Sequence, residues 1–335
     1  MNTTTKAVVI DDFGPIDAAN FREITLPEPG AGELLIDVAF VPANFVDTLV
    51  FTGKYQFLPE RPFTPGKGPT GTVVAVGPDV TGFEEGDRVL SMAESGGYAG
   101  QAIVPVVNTY KLPGNVSCED AAVLSLAFDT AWVSLFERGR FAPGETVLVL
   151  GATGAVGNAA IQLAHARGAK VIAAVSSPAR EAEVRAAGAD GIVDLSQPDL
   201  RNSVREQVRA QTDGKGADIV IDPIGGDIFD AALRAVAWRG RVVVIGFAAG
   251  RIPEIKANYL LLKNMEVSGI QVSDYRKRMP ELMQGAFAEI LSLAGEGKIT
   301  AGARQHYPLD QWAQALDDLL NRKVNGRALL VPPQG

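Results

Sequence analysis

The clearest chemical signal in the sequence is a set of three glycines between a predicted strand and a predicted helix. The segment Gly151-Ala-Thr-Gly154-Ala-Val-Gly157 follows an apolar run at residues 146–150 and precedes a helical pattern that ends at Gly168. A second apolar run at residues 171–175 completes a strand–turn–helix–strand unit within about 30 residues, which is the context of a dinucleotide-binding site. The spacing alone would also fit a plain tight turn, but the flanking elements favour a site for a pyrophosphate.

Each glycine has a predicted purpose in such a site. A helix N-terminus presents free N–H groups and the positive end of the helix dipole to an anion. We expect Gly151 to form the turn, Gly154 to let the phosphates approach the backbone, and Gly157 to allow close packing of helix on strand.

The end of the second strand indicates which coenzyme is bound. An NAD site usually has an acidic residue here for the ribose hydroxyls, whereas this chain has Ser176-Ser-Pro-Ala-Arg180. No carboxylate would repel a 2′-phosphate, and the Arg180 guanidinium could pair with it. The segment therefore predicts a preference for NADPH. The alternative is that Ser177 caps a helix with Pro178 in its first turn while Arg180 is solvated.

Composition narrows the class of protein. The 335 residues are 47% hydrophobic and 21% charged, and the net charge is -8. This charge argues against a nucleic-acid partner or an anionic membrane surface. The single cysteine, Cys118, excludes an internal disulfide and a multi-cysteine zinc site. With no apolar run of about 18 residues and no signal-peptide pattern at the start, we expect a cytoplasmic protein that neither enters nor binds a membrane.

The remaining elements form two groups. Before residue 115 the chain has short apolar runs punctuated by Gly and Pro, which predicts a partly closed barrel or sandwich. Strands and helices then alternate, which predicts a doubly wound parallel sheet. The six strands expected in that sheet are at residues 146–150, 171–175, 191–194, 217–222, 242–245 and 265–272. The helices expected are at residues 121–136, 200–211, 228–237, 278–296 and 309–321. A last strand at residues 327–331 is expected to rejoin the first group.

Several motifs together resemble those of the medium-chain dehydrogenase/reductase superfamily, and most closely its zinc-free NADPH:quinone oxidoreductases. The resemblance covers nearly the whole chain. Its motifs are Asn44-Phe-Val-Asp47, Gly53-Lys-Tyr-Gln56, Gly96-Gly-Tyr-Ala99, the Gly151–Gly157 turn, Asp222-Pro-Ile-Gly-Gly226, Val244-Ile-Gly-Phe247 and Asn258-Tyr-Leu-Leu-Leu-Lys263.

The resemblance implies a fold and an assembly. It implies an α/β protein in which a Rossmann domain with a doubly wound six-stranded parallel sheet, residues 125–272, is inserted into a GroES-like β-barrel domain, residues 1–124 and 273–335. It also implies an active-site cleft between the domains and a homodimer.

The residues argue against a metal. Zinc-dependent relatives have Cys where this chain has Asn44 and His where it has Lys67, and neither Asn nor Lys is a suitable ligand. The two histidines, His165 and His306, are expected to be solvated or core residues. Without a Lewis acid, alcohol oxidation is poorly supported, whereas a quinone or conjugated C=C needs only hydrogen-bond donors at the oxygen that becomes negative.

The predicted acceptor-side residues lie in the irregular segment from Asn44 to Lys67. By resemblance Tyr55 lies beside the acceptor; the alternative is an aromatic plug of the barrel. Asn44 offers an amide donor, or else forms an Asx-turn after Pro42. Asp47 is expected to be a loop-structuring carboxylate. Lys67 departs from the family pattern, and either lies in the cleft and favours an anionic acceptor or is a solvated turn residue.

The predicted cofactor contacts are carried over by resemblance to matching positions. They are Thr130, Thr153, Gly154, Ala155, Val156, Ser176, Arg180, Gly246, Phe247, Ala248, Gly269, Ile270 and Gln271, with a weaker match at Asn325 and Arg327. For Gly246 and Gly269 the alternative is close strand packing.

The sequence thus predicts an NADPH-dependent quinone reductase that needs no metal. Two alternatives stay open. One is an enoyl or 2-alkenal reductase, because both kinds of acceptor are conjugated carbonyls. The other is a cofactor-binding protein with little turnover, because fold does not fix function.

Overall fold

The computed structural model describes residues 3–333. The chain divides into two compact units, which are described separately. The first contains the residues up to Leu126 and those from Tyr275 onward, and the second contains Ala127–Asp274.

The first unit is rich in antiparallel strands. Its strands, numbered in chain order, are β1 (Thr3–Val9), β2 (Asn20–Leu26), β3 (Glu33–Pro42), β4 (Thr70–Val76), β5 (Arg88–Ser91), β6 (Gln101–Pro105), β7 (Thr109–Lys111), β14 (Arg304–Pro308) and β15 (Arg327–Val331). The β1–β2 pair forms its own sheet, and the larger sheet has the order β14-β15-β3-β4-β5-β7, with β6 also paired to β3. Strand β15 pairs antiparallel with β3, so the predicted return of the last strand to the first group is confirmed.

The second unit is a doubly wound sheet. Its strands are β8 (Thr146–Val149), β9 (Lys170–Val175), β10 (Gly191–Asp194), β11 (Ala217–Asp222), β12 (Val236–Val244) and β13 (Glu266–Gly269). All five pairings are parallel, and the order is β10-β9-β8-β11-β12-β13. The order reverses beside β8, where such sheets bind ligands at the carboxyl ends of the strands. The predicted six-stranded parallel sheet is confirmed.

Helices cover both units. They are α1 (Phe45–Phe51), α2 (Cys118–Val123), α3 (Leu126–Trp132), α4 (Ala155–Ala166), α5 (Glu181–Ala186), α6 (Leu200–Ala210), α7 (Gly226–Ala232), α8 (Ala257–Lys263), α9 (Val272–Arg278), α10 (Pro280–Gly295) and α11 (Trp312–Leu320). Within residues 3–333, no helix combines the length and apolarity that a membrane span requires.

Each unit has its own apolar core. In the first, β3 contributes fully buried Leu34 and Ile36, which pack with side chains of the other barrel strands and of α11. In the second, the central strands contribute Leu148, Val220 and Val242. Strands buried on both faces are the expected consequence of helices covering a parallel sheet.

Three predicted elements were wrong in extent. The helix expected at residues 228–237 ends at Ala232, because Val236 instead pairs with Ala217 in the parallel ladder and begins β12. The run at 121–136 is divided into α2, α3 and a π-helical turn at Val133–Arg138. The strand expected at 265–272 ends at Gly269. In the first case, apolar residues fit either structure, and the pairing of Val236 with Ala217 decided between them.

Candidate functional site

The glycine turn of the second unit joins the end of β8 to the start of α4. Gly151 has a φ of 60°, a left-handed conformation that favours glycine. Gly157 is buried, and a Cβ there would lie 2.8 Å from the Gly151 carbonyl carbon. The expected close packing of helix on strand at Gly157 is thus present.

Gly154 is different, because it is exposed and a Cβ there would meet a single atom. It is the exposed N-cap residue of α4, and the nearest atom to a Cβ built there is the Gly151 carbonyl oxygen at 3.3 Å. Thr153 precedes it, and Ala155 and Val156 form the first turn of the helix. The first N–H groups of a helix have no acceptor within it, so this turn can receive the pyrophosphate of a dinucleotide.

The end of β9 is also open. Ser176 and Arg180 are exposed, and the stretch between them is Ser177 followed by a short turn with Pro178 in first position. The Ser177 side chain makes no capping hydrogen bond. The Arg180 guanidinium donates to Glu183, with 2.9 Å between Nη2 and Oε1. This surface ion pair contributes little energy, so a phosphate could replace the carboxylate.

The carboxyl ends of β12 and β13 carry the next group of predicted cofactor residues. Gly246, Phe247 and Ala248 follow β12, and Phe247 is exposed. A Cβ on Gly246 would be 3.6 Å from its nearest neighbour, and one on Gly269 would be 3.8 Å from its nearest. Close strand packing therefore does not account for these glycines.

The segment after β13 is held by hydrogen bonds to its surroundings. The Ile270 N–H donates to the Val244 carbonyl at 3.1 Å, and the Gln271 side-chain oxygen accepts from the Ser273 N–H at 2.7 Å. Thr130, the remaining predicted contact in this unit, is buried in α3, where its carbonyl accepts from the Ser134 hydroxyl.

Asp222 is a residue of this edge that the sequence prediction left out. It ends β11 and is fully buried, and its Oδ1 accepts from the N–H groups of Ile224 and Gly225 at 2.9 Å each. Its Oδ2 is buried without a partner among the described residues. Burial raises the pKa of this carboxyl. The Asp222-Pro-Ile-Gly-Gly226 motif in the sequence could have identified Asp222 as a residue of this edge.

In the first unit, Asn44 and Asp47 start helix α1. The Asp47 carboxylate accepts from the Asn44 N–H at 2.8 Å and from the Tyr98 hydroxyl at 2.9 Å. Burial raises the Asp47 pKa to about 6, although those hydrogen bonds and the charge of Lys67 act in the opposite direction. The expected structural role of Asp47 fits these contacts.

The Asn44 amide is engaged on both sides. Its nitrogen donates to the Pro42 carbonyl at 3.1 Å, and its oxygen accepts from Arg327 at 2.7 Å. The side chain is 3% exposed. Arg327, which was a weak candidate for the cofactor, therefore orients Asn44 in the first unit.

Tyr55 and Lys67 lie together. The Lys67 ammonium is 4.9 Å from the centroid of the partly buried Tyr55 ring. Lys67 is only 2% exposed and forms an ion pair with Glu94. Of the two alternatives for Lys67, the solvated turn residue is therefore wrong, because the side chain is buried in the unit. A place in the cleft stays a prediction.

No alternative metal centre is visible in the described part of the chain. Residues 3–333 contain no group of three or more His, Cys, Asp or Glu side chains that could hold an ion. His165 is exposed. His306 is half-exposed, and its ring Nε2 is hydrogen-bonded to Glu119 Oε1 at 2.7 Å.

Comparisons with known proteins agree with this architecture. The family model "Alcohol dehydrogenase GroES-like domain" matches residues 30–114, and "Zinc-binding dehydrogenase" matches residues 155–288. Quinone oxidoreductase-like protein 2 of Rattus norvegicus is 37% identical, over 91% of this chain and 86% of its own length.

Solved structures add detail. A mycobacterial quinone oxidoreductase superposes with a TM-score of 0.89 at 33% identity, covering 98% of this chain and all of the other. A mycobacterial protein complexed with NADPH gives 0.88 at 32% identity, with the same coverage. The CurK enoyl reductase gives 0.86 at 25% identity, covering 98% and 99%.

The fold and the glycine turn define a dinucleotide-binding oxidoreductase of the medium-chain dehydrogenase/reductase superfamily. Within it, the chain belongs to the quinone oxidoreductase family.

Proposed function

We propose that this protein uses NADPH to reduce quinones by hydride transfer without a metal ion. The observation that carries the proposal is the exposed Gly154 turn together with a corner, Ser176 to Arg180, that has a cation and no carboxylate. The NADPH complex of a similar mycobacterial protein supports this choice of coenzyme. When bound, the nicotinamide would supply the hydride.

The chain's own residues would bind and orient the coenzyme. The first turn of α4 would receive the pyrophosphate, and Arg180 with Ser176 would bind the 2′-phosphate. The open positions at Gly246 and Gly269 would let the coenzyme approach the ends of β12 and β13, beside Phe247, Ala248, Ile270 and Gln271. Thr130, which is buried, would act near the carboxamide.

On the acceptor side, we assign Tyr55 as a hydrogen-bond donor to the acceptor oxygen. The Asn44 amide is already bonded to Pro42 and Arg327, so its contribution would come through its second amide hydrogen and through the position of α1. Donors fixed before the reaction stabilise developing charge without reorganisation.

The absence of a metal is supported by the side chains at the positions that hold zinc in zinc-dependent relatives. Asn44 and Lys67 are poor ligands for zinc, and both are committed to other partners. Nothing in this set would acidify an alcohol, which favours acceptors that need little activation.

We also propose a homodimer in the cytoplasm. Strand β13 is at the edge of the six-stranded sheet, and the neighbouring helix α8 exposes Leu261 and Leu262, which are 77% and 73% accessible. An open sheet edge beside exposed leucines is a surface that a second copy can cover. Sedimentation at several protein concentrations tests whether the protein is a dimer.

The experiment that tests the function is a substrate panel with metal analysis of the same preparation. Purified protein is mixed with NADPH and with 1,4-benzoquinone, 9,10-phenanthrenequinone, a 2-alkenal or an enoyl thioester. We expect the quinones to oxidise NADPH with the highest kcat/KM in protein that contains no stoichiometric zinc. Activity that follows zinc content would refute the metal-free proposal.

A second candidate is a conjugated C=C reductase, which the similarity to the CurK enoyl reductase favours. In that case the enal or thioester, and not the quinones, would have the highest kcat/KM. NADPH binding without oxidation by any acceptor would instead favour a cofactor-binding protein.

A further inference from the structure

A row of arginines lies along one face of helix α6 in the second unit. Arg201, Arg205 and Arg209 follow one another at every fourth position, which places them on the same face over about 12 Å of helix. Glu206, the one acidic residue of α6, forms no ion pair with them. Within residues 3–333, the guanidiniums of Arg205 and Arg209 have no hydrogen-bond or ion-pair partner.

Cations of the neighbouring elements extend this row. Arg234, just after α7, donates to the Asn202 side-chain oxygen at 2.6 Å, and Arg201 donates to the Tyr259 hydroxyl of α8 at 3.0 Å. The Lys263 ammonium, at the end of α8, donates to the Arg234 carbonyl at 2.8 Å. Burial lowers the pKa of Lys263 to about 8, and the charges of three of these arginines act in the same direction. The cations of the three helices are therefore close enough to repel one another.

An exposed tryptophan lies beside these cations. Trp238 is 67% exposed, and the Arg239 guanidinium is 5.6 Å from the centroid of its ring. The Val236 carbonyl, two residues earlier in β12, accepts from Lys263 at 2.8 Å. Arg239 has a φ of 62°, a left-handed conformation that residues other than glycine seldom adopt. The pairing of β12 with β11 is irregular at this point, so the strand bulges here and leaves the indole accessible.

We call this surface the basic face. Its six cations are Arg201, Arg205, Arg209, Arg234, Arg239 and Lys263. In the described part of the chain, none of the six forms an ion pair with a carboxylate. The two acidic residues of α7, Asp227 and Asp230, pair instead with Arg251.

The positive charge of the basic face is a local feature of an acidic chain, whose net charge is -8. The carbonyls that Lys263 caps follow the C-terminal end of α7. A helix end carries only about half a negative charge, which offsets a small part of six cations. Like charges held together without counter-charges are unfavourable, so the arrangement suits a surface that receives an anionic partner.

We propose that the basic face binds an acidic segment of a partner protein, with Trp238 as the apolar anchor. Guanidiniums pair with carboxylates through two parallel hydrogen bonds, and tryptophan and arginine supply much of the binding energy of protein interfaces. A row of about 12 Å matches carboxylates on successive turns of one helix. A membrane surface or a nucleic acid would also meet the acidic remainder of the chain, whereas a short acidic segment meets the basic face alone.

The first test uses a short poly-L-glutamate peptide as the probe, with Kd measured by calorimetry at low ionic strength. We expect the double variant Arg205→Gln/Arg209→Gln to raise the Kd about tenfold. The matched control is Arg140→Gln/Arg185→Gln, which removes two exposed arginines of the same unit that have carboxylate partners. The control should bind the peptide as the wild-type protein does. Failure of the peptide to bind, or an equal Kd in the two double variants, would overturn the inference.

The position of the bound peptide is tested by tryptophan fluorescence. Of the three tryptophans, Trp238 is exposed, whereas Trp312 is 8% exposed and Trp132 is half-buried. Peptide binding should therefore shift the emission of the wild-type protein to shorter wavelength, and Trp238→Phe should abolish the shift. A shift that persists in Trp238→Phe would place the peptide elsewhere on the protein and overturn the inference.

Other occupants are tested with the same variants. Vesicles that contain phosphatidylserine and a short duplex DNA replace the peptide at equal ionic strength, and tighter binding of either one would overturn the choice of an acidic protein. Sedimentation tests a second copy of the chain as the occupant. Dissociation of a wild-type dimer by Arg205→Gln/Arg209→Gln would show that a second copy covers the basic face, which would also overturn the inference. The Kd for NADPH should be the same in all variants, so these results are independent of the proposed function.

Discussion

The preference for NADPH can be tested at Arg180. In the structure, this guanidinium pairs with Glu183, and the two side chains are 50% and 41% exposed. A pair as exposed as this contributes at most about 1 kcal/mol to stability, so Arg180→Ala should remain folded. In the complex with NADPH, the Arg180 guanidinium would face the 2′-phosphate, since Arg180 lies just after the end of β9.

The expected loss follows from that contact. A hydrogen bond to a charged group contributes about 1.5–3 kcal/mol, so Arg180→Ala should raise the Kd for NADPH roughly 10- to 150-fold. The Kd for NADH should not change, because NADH lacks the phosphate. The measurement is a fluorescence titration of each coenzyme into the wild-type and variant proteins.

A matched control is available in α5, the helix that begins directly after Arg180. Arg185 pairs with Glu181 at 2.8 Å, with side-chain exposures of 47% and 43%, but it lies farther along α5. Arg185→Ala should leave both dissociation constants unchanged. If Arg180→Ala weakens the two coenzymes equally, or neither of them, the assignment of the 2′-phosphate to this corner is wrong.

Two further predictions concern stability. Gly157→Ala should lower the free energy of unfolding by about 1–3 kcal/mol, because the new Cβ would overlap the Gly151 carbonyl. An unchanged urea midpoint would contradict the packing described for α4. For Asp47, the folded pKa is raised from 3.8 to about 6, so its stabilising contribution is complete below about pH 4 and is lost as the pH rises through 6. Relative to Asp47→Asn, the wild-type protein should lose about 3 kcal/mol between pH 4 and 7. A difference in unfolding free energy that does not vary with pH would contradict this.

The sequence was most informative where local pattern and tertiary structure agree. The strand–glycine–helix unit around Gly154 was predicted because the glycines lie between an apolar strand pattern and a helical pattern. The parallel sheet followed from apolar runs that alternate with helices. The boundary at Val236 was wrong because a run of buried Ala and Val fits a helix as well as a strand, and only pairing with Ala217 distinguishes them.

The ion pairs of Lys67 and Arg276 with Glu94 could not be predicted in this way. Lys67, Glu94 and Arg276 are separated by 27 and 182 residues in the chain, and no local pattern connects them. Folding alone brings them together. Lys67 was noticed as a departure from the family pattern, but the partner that fixes its charge becomes visible only in three dimensions. The same holds for Arg327, whose contact with Asn44 spans 283 residues.

The most direct test of the coenzyme cradle is the Kd for NADPH of Gly154→Val. Gly154 has φ -80° and ψ 166°, which valine can adopt. The only atom within 4 Å of a Cβ built there is the Gly151 carbonyl oxygen, at 3.3 Å. The variant should therefore fold, with a cost of about 1 kcal/mol at the helix cap. Its methyl groups would occupy the position of the pyrophosphate. We predict that the Kd rises about 100-fold, in line with the loss of several charge-assisted hydrogen bonds. An unchanged Kd in the folded variant would show that the coenzyme binds elsewhere.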